Sequence, residues 1–342
     1  MLSQRARPRP LSIPHRKHGK LDLAPNLLGG TLSPDIKPDT PPSFPKGGIN
    51  STGVLKIGKY LLFQATEKEG TYKAFSIEDD EEFICKVIPA QKYRECLAPY
   101  WQVETHDHVS QVEEIILGSS SAYAIFKKGY GDLHSYVRNK RRLRESEAAF
   151  LFQQIVSGVA RCHQDDVVLR DLKLRKFVFK DAGRTQLRLD GLEDAYVLDE
   201  TKGDQLSEKH GCPAYVSPEI LSTDHSFYSG KAADIWSLGV ILYTMLIGRY
   251  PFHDNEPSAL FRKICRGQYS LPDTLSSRAR CLIRNLLRKN PAERLTAEEI
   301  LQHPWFTSTQ RGSSHSRTSH KDDQTVPDIV GLEEDADYLS LV

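Results

Sequence analysis

Between Val54 and Phe306 the apolar residues follow two successive rhythms. Tyr60–Leu62, Thr71–Ile77 and Phe83–Ile88 are short runs rich in β-branched and aromatic residues, broken by charged turns. They predict a small antiparallel sheet. Beyond Asp132 the period lengthens: Ala148, Leu151, Phe152, Ile155, Val159 and Cys162 recur at spacings of three and four, the stripe of a long amphipathic helix. Thr296-Ala297-Glu298-Glu299 has the form of a capping box opening a last helix, which Pro304 is expected to stop. The longest apolar run, Ile235 to Gly248, is too short for a bilayer and predicts a buried core helix. Strands first and helices after indicate an α+β fold of two lobes, a β-rich N-lobe and a helical C-lobe, over residues 54–306. The flanks show neither rhythm. Residues 1–50 hold nine of the nineteen prolines, so residues 1–53 are expected to be a disordered basic arm. Residues 307–342, Ser/His-rich and then acidic, are expected to be a disordered tail.

Charge adds to this picture only when it is divided. The chain has 46 Lys+Arg against 45 Asp+Glu, but residues 1–50 carry eight against three and residues 307–342 three against seven. The ends are thus +5 and −4, and the middle is balanced at 35 against 35. A basic field over the whole molecule for nucleic acid is excluded, and the arm's basic patches (Arg5/Arg7/Arg9 and Arg16-Lys17 to Lys20) hold no aromatic for base stacking. Those patches read equally as a nuclear-import signal, an acidic-partner contact or a solvated arm. The six cysteines form no C-x-x-C pair and sit mostly among apolar residues, as reduced thiols do. With no apolar stretch after the basic start, no signal peptide is read, and a soluble intracellular protein without membrane partners is expected.

Five motifs in order carry the chemistry. Phe83-Ile84-Cys85-Lys86 resembles the third-strand lysine motif of protein kinases, and Leu169-Arg170-Asp171-Leu172-Lys173 the catalytic loop. Gly211-Cys212-Pro213-Ala214-Tyr215-Val216-Ser217-Pro218-Glu219 resembles the end of the activation segment. Asp234-Ile235-Trp236-Ser237-Leu238-Gly239 resembles the large buried helix, and Arg294 stands where kinases place the partner of the Pro-Glu glutamate.

Phosphoryl transfer in that fold needs a glycine-rich lid, a lysine held by a helix glutamate, and two metal-binding positions beside a catalytic aspartate. The lid aligns with Ala65 to Tyr72 and keeps only Gly70, while Glu67 and Glu69 bring negative charge toward phosphate oxygens. The metal-binding asparagine position holds Lys176, whose ammonium has no lone pair for a cation. The Asp-Phe-Gly triplet aligns with Gly191-Leu192-Glu193, so its metal aspartate is absent. Lys86, Asp171 and Lys173 are then vestiges of a catalytic set, and no metal site is expected. Asp190 restores a carboxylate only if the register slips by one residue; strand alternation directs it away. Glu95 is the nearest candidate partner for Lys86, with Pro99 expected to cut its helix short.

This pattern marks a pseudokinase, and within that class the chain resembles the Tribbles family. The catalytic-loop run extends through Leu174-Arg175-Lys176-Phe177, and Leu192-Glu193-Asp194-Ala195, Lys209 to Tyr215 and Ser229 to Asp234 carry the likeness further. Gly191 departs from the family's usual Ser or Asn, and Gln302 from a common leucine. The resemblance implies no cofactor beyond weak, metal-independent ATP binding. It implies an adaptor in nucleus and cytoplasm whose Asp323-Gln324-Thr325-Val326-Pro327-Asp328 docks the WD40 domain of a RING E3 ubiquitin ligase. Implied clients are CCAAT/enhancer-binding or stress-response leucine-zipper transcription factors, MAP-kinase kinases and protein kinase B. Gly191, Leu192 and Glu193 are the client-side residues. Ile300, Leu301, His303, Pro304, Trp305 and Phe306 match the segment associated with MAP-kinase kinases, although Trp305 and Phe306 also suit packing beneath the last helix. One alternative stands beside the adaptor, a feeble Ser/Thr kinase that binds ATP with little or no metal and uses Asp171 as base. Within the adaptor reading, the acidic tail is read as a brake that folds back toward Lys92 and Arg94 and competes with ligase docking.

Overall fold

The computed structural model describes residues 54–65, 70–199, 203–222 and 226–309. The expected arm of residues 1–53 and residues 310–342 of the tail, with Asp323, Gln324, Val326 and Pro327, lie outside the described residues, as do residues 66–69 of the lid.

Six strands build the N-lobe sheet: β1 (Leu55–Ile57), β2 (Tyr60–Ala65), β3 (Thr71–Ser76), β4 (Glu82–Pro89), β5 (Glu114–Leu117) and β6 (Ser121–Lys127). Their order is β1-β2-β3-β4-β6-β5, every pair antiparallel. Alternation along β4 sorts the side chains by face. Phe83 and Cys85 turn into a small core with Tyr60, Leu62 and Ile125, and Lys86 turns the other way, toward the interlobe cleft. Burial pushes the Cys85 thiol up to about 12, so it is a packed, unreactive thiol.

One helix of the N-lobe, α1 (Tyr93–Gln102), lies between β4 and β5. Here the expectation about Pro99 needs correcting: the helix runs on past it, and the Val103 N–H closes the last turn on the Pro99 carbonyl. Pro99 cannot serve the carbonyl of Glu95, but Glu95 is exposed and water can.

The C-lobe is helical: α2 (Leu133–Lys140), α3 (Glu145–Gln164), α4 (Pro218–Leu221), α5 (Gly230–Ile247), α6 (Pro257–Arg266), α7 (Ser277–Leu286), α8 (Ala297–Leu301) and α9 (Pro304–Thr309). The α3 stripe from Ala148 to Cys162 is buried along its whole length. At 18 residues α5 exceeds the predicted run and is long and apolar enough to cross a membrane, yet 83 % of it lies inside the lobe. It is apolar on every side because it is enclosed on every side. Thr296 and Glu299 form both halves of the capping box that opens α8. Pro304 starts a further helix instead of only ending one. Proline's fixed φ and missing N–H suit a first helical position, and the helix that Pro304 opens spans Pro304–Thr309.

Candidate functional site

The cleft is assembled by three loops hung from the C-lobe core. Asp234, near the start of α5 and 1 % exposed, accepts the Leu169 N–H at 2.8 Å and the Arg170 N–H at 2.9 Å, and its carboxylate meets His163 Nε2 at 2.9 Å. That grip fixes the catalytic-loop backbone and holds Arg170 at a φ of 59°. Below it, Arg294 makes a two-pronged contact with Glu219 at 2.6 and 2.7 Å, the pairing expected of that arginine.

Asp171 is in place but surrounded. Lys173 Nζ stands 3.0 Å from its Oδ2 and Lys176 Nζ 3.8 Å from the same oxygen. The Lys176 ammonium also donates to the Gly191 carbonyl at 2.6 Å and to Asp194 Oδ2 at 2.7 Å. It thus engages the oxygens of three residues around the point where a kinase coordinates its metal. A divalent cation does not fit beside that fixed positive charge.

The register question about Asp190 is answered against alternation. The strand ends at Leu189, the Asp190 N–H bonds to the Lys176 carbonyl at 2.6 Å, and Gly191 turns into the left-handed region at φ 77°. Asp190 therefore faces the cleft, with Oδ1 3.2 Å from Lys86 Nζ. Alternation binds only residues whose backbone remains extended.

Lys86 has also taken another partner than expected. Glu95 is exposed in the first turn of α1 and does not reach it. Glu193 Oε1 accepts from Lys86 at 2.7 Å instead, and the Lys86 ammonium lies 4.5 Å from the centre of the Phe126 ring. Tyr100, from the last turns of α1, closes the arrangement. Its hydroxyl donates to Glu193 Oε1 at 2.9 Å and accepts the Leu192 N–H at 2.9 Å. Burial opposes the charged form of all three titrating partners, but attraction wins. Lys86 is held above its ordinary range by Asp190 and Glu193, and both carboxyls are held below theirs chiefly by Lys86. Burial, then the charges of Glu193 and Asp190, raise the Tyr100 hydroxyl far above its usual value.

Lys86, Lys173 and Lys176 face Asp171, Asp190, Glu193 and Asp194, and Arg188 adds its positive charge beside Asp190. Sequence reasoning set Asp190 aside and missed Tyr100 and Asp194. Asp194 follows Gly191-Leu192-Glu193 directly, and Tyr100 lies one residue past Pro99, where the helix was expected to be cut short.

The other named residues are distributed differently. Gly191 caps a short 3₁₀ turn, Leu192–Asp194, in which Glu193 meets Lys86 and Leu192 is 1 % exposed. Ile300, Trp305 and Phe306 are core residues; Trp305 is fully buried and its Nε1 donates to Glu145 at 3.0 Å. Leu301 and His303 are half-buried, and Gln302 and Pro304 are exposed.

Residues 68–306 match the protein kinase domain family. The chain is 54 % identical over 309 residues to Tribbles homolog 2 of the dog, covering 90 % of this chain and 88 % of that one. It belongs to the Tribbles family. It is also 51 % identical over 319 residues to mouse Tribbles homolog 1, with 92 % and 84 % covered. With bovine Tribbles homolog 3 the figures are 50 % over 295 residues, with 86 % and 82 % covered. The two-lobed kinase fold and the family expected from the motifs are both present.

Proposed function

We propose that this Tribbles-family chain is a pseudokinase adaptor that binds client proteins through its kinase-like domain and recruits a RING E3 ubiquitin ligase through Asp323, Gln324, Val326 and Pro327. The observation that carries the non-catalytic part is Lys176, whose ammonium contacts Asp171, Asp194 and the Gly191 carbonyl. Lys86, the residue that would hold nucleotide phosphates, is already neutralised by Asp190 and Glu193. A triphosphate entering without metal meets four carboxylates whose cations are already paired and must first break those pairs, so ATP binding is weak and metal-independent at most.

Clients are CCAAT/enhancer-binding or stress-response leucine-zipper factors, MAP-kinase kinases and protein kinase B, met in nucleus and cytoplasm. Holding client and ligase on one chain raises the effective concentration of client lysines at the ligase, and no bond-making by the adaptor is required. Client binding at Gly191–Glu193 entails turning this inward segment out. For MAP-kinase kinases the accessible part of the C-terminal segment is Leu301 to Pro304. The deciding experiment measures client turnover in cells. Paired Val326→Ala and Pro327→Ala abolish it, and Asp171→Asn leaves it intact; equal loss from both sinks the pure-adaptor reading.

The second reading, a feeble Ser/Thr kinase, draws on the retained Asp171 with Lys173 at 3.0 Å. It requires radiolabel transfer that disappears in Asp171→Asn.

A further inference from the structure

Away from the cleft, α4 together with Phe227 and Tyr228 faces the end of α6 and the turn preceding Arg294 across a groove of about 890 Å³. Leu221, Phe227, Cys265, Pro291 and Ala292 give it apolar walls, and Lys289 lines it as well. Phe227 is 61 % exposed, a large apolar side chain held against solvent. Glu219 also lines the groove, but its carboxylate is neutralised by Arg294, so this wall is rigid and brings no free negative charge.

The stretch of chain that supplies one wall of the groove is basic. From Pro257 to Asn290 the chain has eight Lys/Arg and one acid, a net +7 within a domain that balances to zero. Lys263, Arg280 and Arg288 are paired with Asp254, Asp273 and Glu293. Arg262, Arg266, Arg278, Arg284 and Lys289 are exposed and have no carboxylate partner among the described residues. The two basic elements touch beside the groove. At Gly267, which ends α6 at a φ of 65°, an added Cβ would lie 2.8 Å from Lys289 Cγ.

We propose that this groove docks a linear acidic peptide bearing one bulky apolar side chain. The side chain enters between Phe227 and the Cys265–Ala292 wall, and flanking carboxylates meet Lys289 and Arg266. Charge complementarity sets the sign of the ligand, and the concavity sets its class. A bilayer or a nucleic-acid backbone reads a cationic surface without needing a recess, whereas a groove with apolar walls rewards a side chain that fills it. The site is separate from the Gly191–Glu193 segment and does not depend on the adaptor reading.

Fluorescence anisotropy on the full chain at physiological salt tests it. The probe is a short labelled peptide of alternating Glu and Asp around one central Phe, set beside the same peptide with Ser in the centre. A labelled peptide of residues 310–342 and phosphatidylserine vesicles complete the set. The Phe probe is expected to bind saturably, and the Ser probe at least about tenfold more weakly. Arg266→Glu with Lys289→Glu, and separately Ala292→Trp, should each weaken the Phe probe by a similar factor. Lys92→Glu with Arg94→Glu should leave it unchanged. Ala292 is exposed, so the fold should tolerate Trp there; Phe227→Ala gives a second groove variant should the Trp variant melt early. Absence of saturable binding overturns the proposal, as does binding that responds to charge reversal but not to the groove variants. Capture of vesicles alone overturns it too, and so does tighter binding of the 310–342 peptide with the same variant pattern, which would make the tail the occupant.

Discussion

Replacing Tyr100 by Phe removes a single oxygen and leaves the ring packed against Phe126, at a centroid separation of 5.2 Å. That oxygen donates to Glu193 Oε1 and accepts the Leu192 N–H, both at 2.9 Å, in a place where Tyr100 is 3 % and Leu192 1 % exposed. A hydrogen bond to an ionised carboxylate contributes about 1.5–3 kcal/mol, and a stranded buried N–H costs about 1–3 kcal/mol. One small relaxation eases both, so the two do not add fully, and a net loss of about 2–4 kcal/mol is expected. Glu193 keeps its bond to Lys86 at 2.7 Å, so the segment loosens without being released. In equilibrium terms the turned-out form becomes about 30- to 1000-fold more populated. Amide hydrogen exchange at Leu192 and Glu193 reads this directly, and denaturant unfolding shows how much of the loss is global. Tyr93→Phe is the control, because its hydroxyl only accepts an exposed bond from Arg94. Protection at Leu192 within about threefold of the parent, with an unchanged unfolding midpoint, would refute the assignment of Tyr100 as the latch.

Lys176→Asn restores an oxygen ligand but leaves Asp171 and Asp194 without their shared cation. Asp194 is partly exposed, so the loss should be about 1–3 kcal/mol, and magnesium should raise the melting temperature of this variant and not of the parent. Trp305→Ala should cost about 3–5 kcal/mol by opening a cavity against Phe152, whereas His303→Ala, which removes the Nδ1 that accepts the Trp305 N–H, should cost only about 0.5–2 kcal/mol. Denaturant melts of both variants would separate a lost MAP-kinase-kinase contact from a lost fold. The Lys86 cluster predicts a pH profile. Asp190 and Glu193 are depressed, so their contribution is complete above the ordinary carboxylate range near ~4 and disappears as pH falls through their folded values. Lys86 is raised, so its contribution is complete below ~10.4 and disappears as pH climbs through its folded value. The stability gap between the parent and Lys86→Met should be widest near neutrality and narrow in acid; a gap independent of pH contradicts the pairing.

The lobes were readable because alternation along β4 and the three–four spacing along α3 each follow from one-sided burial, which any local window displays. Lys176, an ammonium in place of an oxygen ligand, and the retained Lys86 were readable as well, since both are facts of residue type. Their partners were not. Asp190 was assigned by strand alternation, and only the left-handed turn at Gly191 ends the extended backbone that the rule requires. Gly191 had been weighed solely as a missing carboxylate, when its freedom at positive φ was the signal for a change of direction. Glu95 was chosen for its helix position, but α1 turns it to solvent and brings Tyr100 to the cleft, an outcome set by packing against β6 and beyond the reach of spacing. Trp305 shows the reverse case, a family-marked motif residue that the core claims in full.

The substitution at Lys176 also changes what can control the cleft. In an active kinase the positive charge over the catalytic aspartate arrives with metal and nucleotide and leaves with product, so small molecules set the state of the site. Here the charge is tethered to the backbone. Lys176 remains among Asp171, Asp194 and the Gly191 carbonyl, and Lys86 remains between Asp190 and Glu193, whatever the solution holds. Such a cluster can be rearranged only by moving the chain that carries it, and Gly191–Glu193, which turns on a glycine, is held by the Tyr100 hydroxyl, by Lys86 at Glu193 and by Lys176 at the Gly191 carbonyl. A ligand that prefers that segment turned out must supply the energy of those contacts through its own binding. A protein partner offers enough surface to do so, and on the proposed adaptor reading the tethered cations would leave the cleft to be governed by protein binding.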